Sequence, residues 1–148
     1  MEKKIILLVE DNADDVLLTQ RAFIKSILEN QIGLVIAKDG LEALDYLHAS
    51  RRNDGGDKKT MPEIILLDLN LPKLNGLQVL ERIRKDKQTK LIPVIILTSS
   101  KEEADLTTAY KLGANSYIRK PVDFQKFRDA IQQLGLYWIG LNETPSTS

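Results

Sequence analysis

The feature that most constrains the fold of this 148-residue chain is a set of five short apolar runs, separated by segments with helical spacing. The runs are Ile5–Val9, Leu34–Ala37, Ile64–Leu67, Val94–Leu97 and the weaker Tyr117–Ile118. The three strongest are apolar at every position, which predicts strands covered on both faces. Such strands need helices on both sides of the sheet, so we expect parallel strands joined by right-handed helical crossovers.

The intervening segments carry apolar residues three and four positions apart, which is typical of helices packed on one face. The first pattern covers Asn12–Asn30, where Asn12 can cap the helix and Asp15 occupies the position that a capping box uses. Four more patterns cover Leu41–Leu47, Leu77–Ile83, Ala104–Leu112 and Phe124–Leu134. The chain is therefore predicted to be a doubly wound α/β protein with a five-stranded parallel sheet.

These units occupy almost the whole chain and predict one domain over residues 3–139. The polar stretch Ser50–Thr60 predicts a long surface loop before the third strand. Residues 140–148 have no periodicity and predict a disordered tail. No segment remains for an output domain such as a DNA-binding module.

Composition excludes several classes of protein. Lysine plus arginine and aspartate plus glutamate both number 21, so the formal net charge of 0 argues against a nucleic-acid partner. The absence of cysteine excludes disulfides, thiol catalysis and cysteine-ligated metals, and the single histidine, His48, excludes a multi-histidine metal site. We expect His48 to be exposed on the second helix. Since no apolar run approaches the roughly 18 residues that span a bilayer, we expect a cytoplasmic protein without a membrane partner.

Polar residues follow the apolar runs where a parallel sheet of this class binds ligands, at the carboxyl ends of its strands. Glu10 and Asp11 follow the first run, Asp68 the third, Thr98 the fourth and Lys120 the fifth. We therefore expect three carboxylates, a hydroxyl and an ammonium to meet at one edge of the sheet.

Such a cluster needs a cation, because two carboxylates about 4 Å apart repel by about 4 kcal/mol at an effective dielectric constant of about 20. A hard divalent cation such as Mg²⁺ accepts oxygen ligands of this kind. A carboxylate can also act as a nucleophile toward phosphorus, while the cation and Lys120 neutralise the phosphoryl oxygens. Taken singly, Asp11 or Thr98 could be a helix cap and Lys120 a solvent-exposed lysine, but the complete set indicates a function.

At these residues the sequence resembles the response-regulator receiver domains of two-component signalling, over roughly Lys3 to Leu134. The resemblance is carried by Glu10-Asp11 after I-I-L-L-V, Asp68 in I-I-L-L-D-L-N-L-P, Gly76, Thr98 in P-V-I-I-L-T-S, and Lys120-Pro121 in Y-I-R-K-P. It implies a flavodoxin-like, CheY-like sheet with strand order 2-1-3-4-5. It also implies a signalling protein that accepts a phosphoryl group, rather than an enzyme with a substrate of its own.

The resemblance assigns the site residues as well. Asp68 resembles the phosphoacceptor, and Mg²⁺ would be held by Asp11, Asp68 and the backbone carbonyl of Asn70, with Glu10 acting on the water shell of the metal.

Thr98 and Lys120 would contact the phosphoryl group, and Tyr117 matches the aromatic position that turns inward when the threonine moves. The Lys120–Pro121 peptide is expected to be cis.

The partner implied by the resemblance is a histidine kinase that carries the phosphohistidine. The Ser50–Thr60 loop and the apolar stretch L-G-L-Y-W-I-G-L after Gln133 resemble the small stand-alone receivers paired with phytochromes. That resemblance implies a phytochrome-type kinase and a homodimer formed through the fourth helix, the fifth strand and the fifth helix. Trp138 could close the end of the core, or its segment could anchor another chain, because aromatic residues are enriched at interfaces.

Three alternatives remain open from sequence. A Mg²⁺-dependent phosphohydrolase with an aspartyl-phosphate intermediate would carry a second aspartate where this chain has Asn70. A nucleotide-binding domain would need glycines after the first strand, where the chain reads E-D-N-A-D-D. An adaptor that works without phosphorylation is disfavoured by the complete set of acidic, threonine and lysine residues.

Overall fold

Five parallel strands form one sheet in the order β2-β1-β3-β4-β5, as predicted. The computed structural model describes residues 3–24, 29–50, 61–121 and 123–145. The strands are β1 (Lys4–Val9), β2 (Ile32–Ala37), β3 (Ile64–Leu67), β4 (Val94–Thr98) and β5 (Ser116–Arg119). The helices are α1 (Ala13–Ile24), α2 (Gly40–Ser50), α3 (Gly76–Lys85), α4 (Glu103–Lys111) and α5 (Phe124–Gly135).

The core has two halves, one on each face of the sheet. In β1, Leu7 and Val9 pack with residues of α2, α3 and α4, whereas Ile6 and Leu8 pack with residues of α1 and α5. None of these four side chains is more than 2% exposed. Successive side chains of a strand point to opposite faces, so a strand between two helical layers must be apolar at every position.

Several boundaries differ from the sequence prediction, two of them around the entry into β2. The predicted helix over Asn12–Asn30 extends too far, since Glu29–Gln31 forms a 3-10 turn. The edge strand β2 begins at Ile32, two residues before the predicted start. The chain must leave the helical path in order to enter the sheet, and apolar spacing alone does not mark that point. Ser50 ends α2, and the rest of the predicted loop, residues 51–60, lies outside the described residues.

The C-terminal segment continues α5 as a π-helical turn, Leu136–Leu141. Ile139 is buried and Trp138 packs against the core half that contains α1 and α5, whereas Tyr137 and Leu141 are 51% and 75% exposed. The segment therefore both closes the core and presents apolar side chains to solvent.

The tail predicted for residues 140–148 begins inside this turn. Beyond it, the Thr144 hydroxyl donates a hydrogen bond of 2.9 Å to Glu63, just before β3. This bond links Thr144 to the segment before β3, and residues 146–148 lie outside the described residues. None of the described helices has the length and apolar character needed to cross a lipid bilayer.

Candidate functional site

The site lies at the carboxyl edge of the sheet, where the backbone ladder continues beyond the strand ends. The Glu10 N–H donates to Ala37 O (3.0 Å) and the Asp68 N–H donates to Val9 O (3.1 Å). The Lys120 N–H donates to Thr98 O (2.8 Å). These bonds fix the backbone of Glu10, Asp68 and Lys120 at one edge, as predicted from their positions after the strands.

Three carboxylates converge there. One oxygen from each of Glu10, Asp11 and Asp68 lies within 4.8 Å of the other two. Glu10 and Asp68 are buried, at 2% and 5% exposure, and Asp11 is exposed. Three carboxylate oxygens that meet at a partly open edge are a donor set that fits a hard divalent cation, since such cations prefer oxygen ligands and keep several waters.

Lys120 is the cationic centre of this group. Its side chain is 9% exposed, and its ammonium donates to Glu10 Oε1, to Asp15 Oδ2 at 2.8 Å and to Asp68 Oδ2 at 3.2 Å. An ammonium has three hydrogens, so three carboxylates can satisfy it fully.

The sequence prediction missed the part that Asp15 plays. Asn12 caps α1 as expected, because its Oδ1 accepts from the Asp15 N–H at 3.0 Å. The Asp15 carboxylate, however, binds Lys120, the residue directly after β5. The available signal was the position of Asp15 in the first turn of a helix that starts directly after the Glu10-Asp11 loop.

The pKa values of Glu10 and Lys120 are both raised, although burial itself acts in opposite directions on the two groups. Burial raises the pKa of Glu10 from 4.5 to about 7, the Asp68 charge adds to this effect, and the hydrogen bond from Lys120 opposes it. Burial alone would lower the pKa of Lys120, but its hydrogen bonds to Asp15 and Glu10 and the Asp68 charge hold that pKa above its usual value. The site therefore has an excess of negative charge.

The loop after β3 holds the Asp68 carboxylate. Asp68 Oδ1 accepts from the Leu69 N–H at 2.7 Å and from the Asn70 N–H at 3.4 Å. Gly76, at the start of α3, lies so close that a Cβ would come within 2.2 Å of Asp68 O. Only glycine allows α3 to begin there.

Thr98 and Tyr117 lie on the neighbouring strands β4 and β5. Thr98 is fully buried, and its Oγ1 accepts from the Ser100 N–H at 3.3 Å. Tyr117 packs against the core half that contains α2, α3 and α4, so its ring points inward. Its hydroxyl is buried without a well-aligned hydrogen-bond partner among the described residues, and burial raises the pKa of Tyr117 above its usual value.

One prediction for this edge is wrong. The Lys120–Pro121 peptide is trans, and the described residues contain no cis peptide bond. The trans form is the intrinsically preferred one for a bond before proline, by about 0.5–1 kcal/mol. The Lys120 ammonium reaches its carboxylates from that form.

A five-stranded sheet in this order, with carboxylates, a threonine and a lysine at its carboxyl edge, defines a class of signalling receiver. Residues 6–132 match the family model of the response regulator receiver domain. The chain belongs to that family. Membership favours a signalling domain, of a family not generally classed as enzymes, over the nucleotide-binding and phosphohydrolase alternatives.

Two relatives are similar over nearly the whole chain. The probable methanogenesis regulatory protein FilR2 of Methanothrix harundinacea is 40% identical over 95% of this chain and 87% of its own length. Response regulator Rcp1 of Synechocystis is 35% identical over 92% of this chain and 89% of its own length.

The structures of two relatives are also similar. The phosphorylated cyanobacterial phytochrome response regulator RcpA has a TM-score of 0.86 at 35% identity, covering 98% of this chain and 100% of that one. The Mn²⁺-bound form of Rcp1 has a TM-score of 0.85 at 34% identity, covering 97% of this chain and 99% of that one.

The lone histidine has no part in this edge. His48 is exposed on α2, as predicted.

Proposed function

We propose that this chain is a stand-alone response regulator, with its receiver domain at residues 3–139, that takes a phosphoryl group onto Asp68 from the phosphohistidine of a histidine kinase. The observation that carries the proposal is the position of the Asp68 carboxylate, which touches the Lys120 ammonium and lies within 4.8 Å of Glu10 and Asp11 oxygens. Family membership supports it, because receiver domains act as signalling partners of such kinases.

The transfer is an in-line displacement at phosphorus. An Asp68 carboxylate oxygen forms the O–P bond while the P–N bond of the phosphohistidine breaks, and the electron pair returns to the imidazole nitrogen of the kinase. No water, oxidant or reductant is consumed, so the reaction exchanges one phosphoryl carrier for another. Lys120 lies where it can neutralise part of the charge on the phosphoryl oxygens.

We assign the divalent cation as Mg²⁺, held by Asp11, Asp68 and the backbone carbonyl of Asn70, with Glu10 bound directly or through water. When bound, the cation would supply positive charge that lets an ionised carboxylate approach a phosphoryl group. The donor set of this chain supports the assignment. The Mn²⁺-bound structure of Rcp1, a relative 34% identical to this chain, supports it further.

We assign the response to phosphorylation to Thr98 and Tyr117. The Thr98 hydroxyl is buried beside β3, the strand that Asp68 follows, so it can donate to a phosphoryl oxygen after a small shift. Tyr117 lies on the adjacent strand, with its ring already inward and its hydroxyl buried. A change at Thr98 would therefore be transmitted to the surface formed by α4, β5 and α5.

The kinase we favour is a phytochrome-type kinase in the cytoplasm, since two relatives of nearly full coverage, RcpA and Rcp1, are response regulators and RcpA is described as a phytochrome response regulator.

We further propose a homodimer through α4, β5, α5 and the C-terminal aromatic segment. Large apolar side chains on these elements support that surface, because Tyr110, Phe124 and Tyr137 are about half exposed, at 50%, 49% and 51%.

The test is phosphotransfer from a ³²P-labelled histidine kinase to the wild type, Asp68→Asn and Asp45→Asn in the presence of Mg²⁺. Asp45 is an exposed carboxylate on α2 and serves as the control. We expect label on the wild type and on Asp45→Asn, and none on Asp68→Asn. Label retained by Asp68→Asn would overturn the assignment, and a wild type that no kinase labels would favour the adaptor alternative.

A further inference from the structure

We propose that Asp15 is a positioning residue that holds the Lys120 ammonium beside Asp68 through a contact separate from the cation site. This inference rests on the proposed function, because it assigns Asp15 a part in the binding of the cation and the phosphoryl group.

The proposal rests on a difference among the three carboxylates that accept hydrogen bonds from Lys120. Glu10 and Asp68 belong to the cluster that can hold a metal, whereas Asp15 does not. The Lys120 Nζ–Asp15 Oδ2 distance, 2.8 Å, is shorter than the 3.2 Å between Lys120 Nζ and Asp68 Oδ2. Among the described residues, Asp15 is therefore the one carboxylate partner of Lys120 that a bound cation would leave unoccupied.

Asp15 is well placed for this role, because its backbone is fixed. Its N–H is capped by Asn12 Oδ1 at 3.0 Å, and its carbonyl oxygen accepts from the Thr19 hydroxyl at 2.8 Å. The side chain thus projects from the ordered first turn of α1 across to Lys120, which is 9% exposed. A buried ammonium needs full pairing, so losing one partner makes it depend more on the others.

Loss of Asp15 would make the Lys120 ammonium and the cation compete for the same carboxylates. Without Asp15, the described carboxylate partners left to the ammonium are Glu10 and Asp68, which also belong to the cluster that can hold a cation. Two positive charges would then compete for one set of ligands. Asp15 relieves this competition and keeps Lys120 next to the acceptor.

The experiment measures Mg²⁺ affinity by titration calorimetry on the full chain, with Asp15→Ala and two comparison variants. Asp14→Ala is the matched control, because Asp14 is an exposed acid in the same helical turn and its loss changes the net charge equally. Asp15→Glu keeps the charge and can still reach Lys120. We expect Asp15→Ala to weaken Mg²⁺ binding about three- to tenfold, and Asp14→Ala and Asp15→Glu to stay close to the wild type.

A double-mutant cycle separates positioning from the bare loss of charge. In a Lys120→Met background there is no ammonium to hold, so replacing Asp15 by alanine should weaken Mg²⁺ binding by a distinctly smaller factor. An equal factor in both backgrounds, or an Asp15→Ala affinity equal to that of Asp14→Ala, would overturn the role of Asp15.

Phosphoryl uptake from acetyl phosphate, measured on the same proteins, distinguishes a failure of the proposed function from a failure of the role of Asp15. A wild type that binds Mg²⁺ and becomes phosphorylated, with an Asp15→Ala affinity no different from the control, overturns the role of Asp15 alone. A wild type that does neither overturns the proposed function and this role together.

Discussion

The ionisation of Glu10 depends strongly on its surroundings. It is buried, it shares Lys120 with Asp15 and Asp68, and its pKa is raised to about 7. With Asp11, the site holds four carboxylates for one ammonium. In the absence of a cation, the ionised form of Glu10 therefore lowers the free energy of unfolding.

The pH dependence of stability should reveal this destabilisation by ionised Glu10. The raised pKa means that, between about pH 4.5 and pH 7, the folded chain binds more protons at Glu10 than the unfolded chain does. The free energy of unfolding must therefore fall as pH rises through that window. Without divalent cations, we expect Glu10→Gln to be more stable than the wild type at pH 8, by on the order of 1–3 kcal/mol.

Urea unfolding from pH 4 to pH 8, in the presence of a chelator, measures this difference. The gap between Glu10→Gln and the wild type should close below pH 5. A gap that is constant over the whole range would show that Glu10 does not titrate as proposed.

How much of the site the sequence predicts depends on where each residue lies. Glu10, Asp68 and Lys120 follow apolar strands, and the edge of a parallel sheet brings such positions together whatever the lengths of the connections. Asp15 lies on a helix, and its contact with Lys120 depends on the rotation of α1 over the sheet. Sequence spacing does not specify that rotation, so the pattern predicted only its place in the helical turn.

Among the elements, α3 is tied to the opposite edge of the sheet by one side chain, Arg84. Its guanidinium donates to Gly113 O (2.9 Å), Lys90 O (3.0 Å), Ile92 O (2.8 Å) and Asn115 Oδ1 (2.8 Å). Gly113 has a φ of 103°, and a Cβ there would lie 2.9 Å from Arg84 Nε. Arg84 thus joins α3 to the loops on either side of β4 and α4.

Replacing Arg84 should destabilise these loops. We expect Arg84→Ala to lower the free energy of unfolding by about 2–4 kcal/mol, because it removes this donor from two partly buried carbonyl oxygens, those of Gly113 and Ile92. Arg82→Ala, an exposed position on the same helix, should change stability by less than about 0.5 kcal/mol. Thermal and denaturant unfolding of both variants measures this, and equal effects would contradict the role of Arg84.

For the whole molecule, the described residues form one sheet with a core half on each face, and the large apolar side chains left exposed include Tyr110, Phe124, Tyr137 and Leu141. A dimer that covers them would remove this surface from water. Trp138 packs against the core instead, so its removal would test folding as well as association.

The dimer is therefore tested with Tyr137→Ser/Leu141→Ser. We expect the wild type to sediment as a dimer at tens of micromolar, and this variant to shift toward the monomer. Leu91→Ser, also exposed and located before β4, is the control and should remain dimeric. A monomeric wild type would contradict the proposed homodimer.

The architecture was predictable because strands buried on both faces leave an unambiguous apolar pattern, as in Ile64–Leu67. The entry into β2 was not predictable, because apolar spacing does not mark the point at which the chain leaves the helical path. The isomer of the Lys120–Pro121 bond was carried over from the resemblance and differs in this chain.

The most direct test of the central claim is chemical location of the phosphoryl group. The chain is incubated with acetyl phosphate and Mg²⁺, the acyl phosphate is reduced with borohydride, and the peptides are sequenced by mass spectrometry. The account predicts one modified position, Asp68, dependent on the divalent cation. Modification at another residue, or none while the cation is bound, would contradict it.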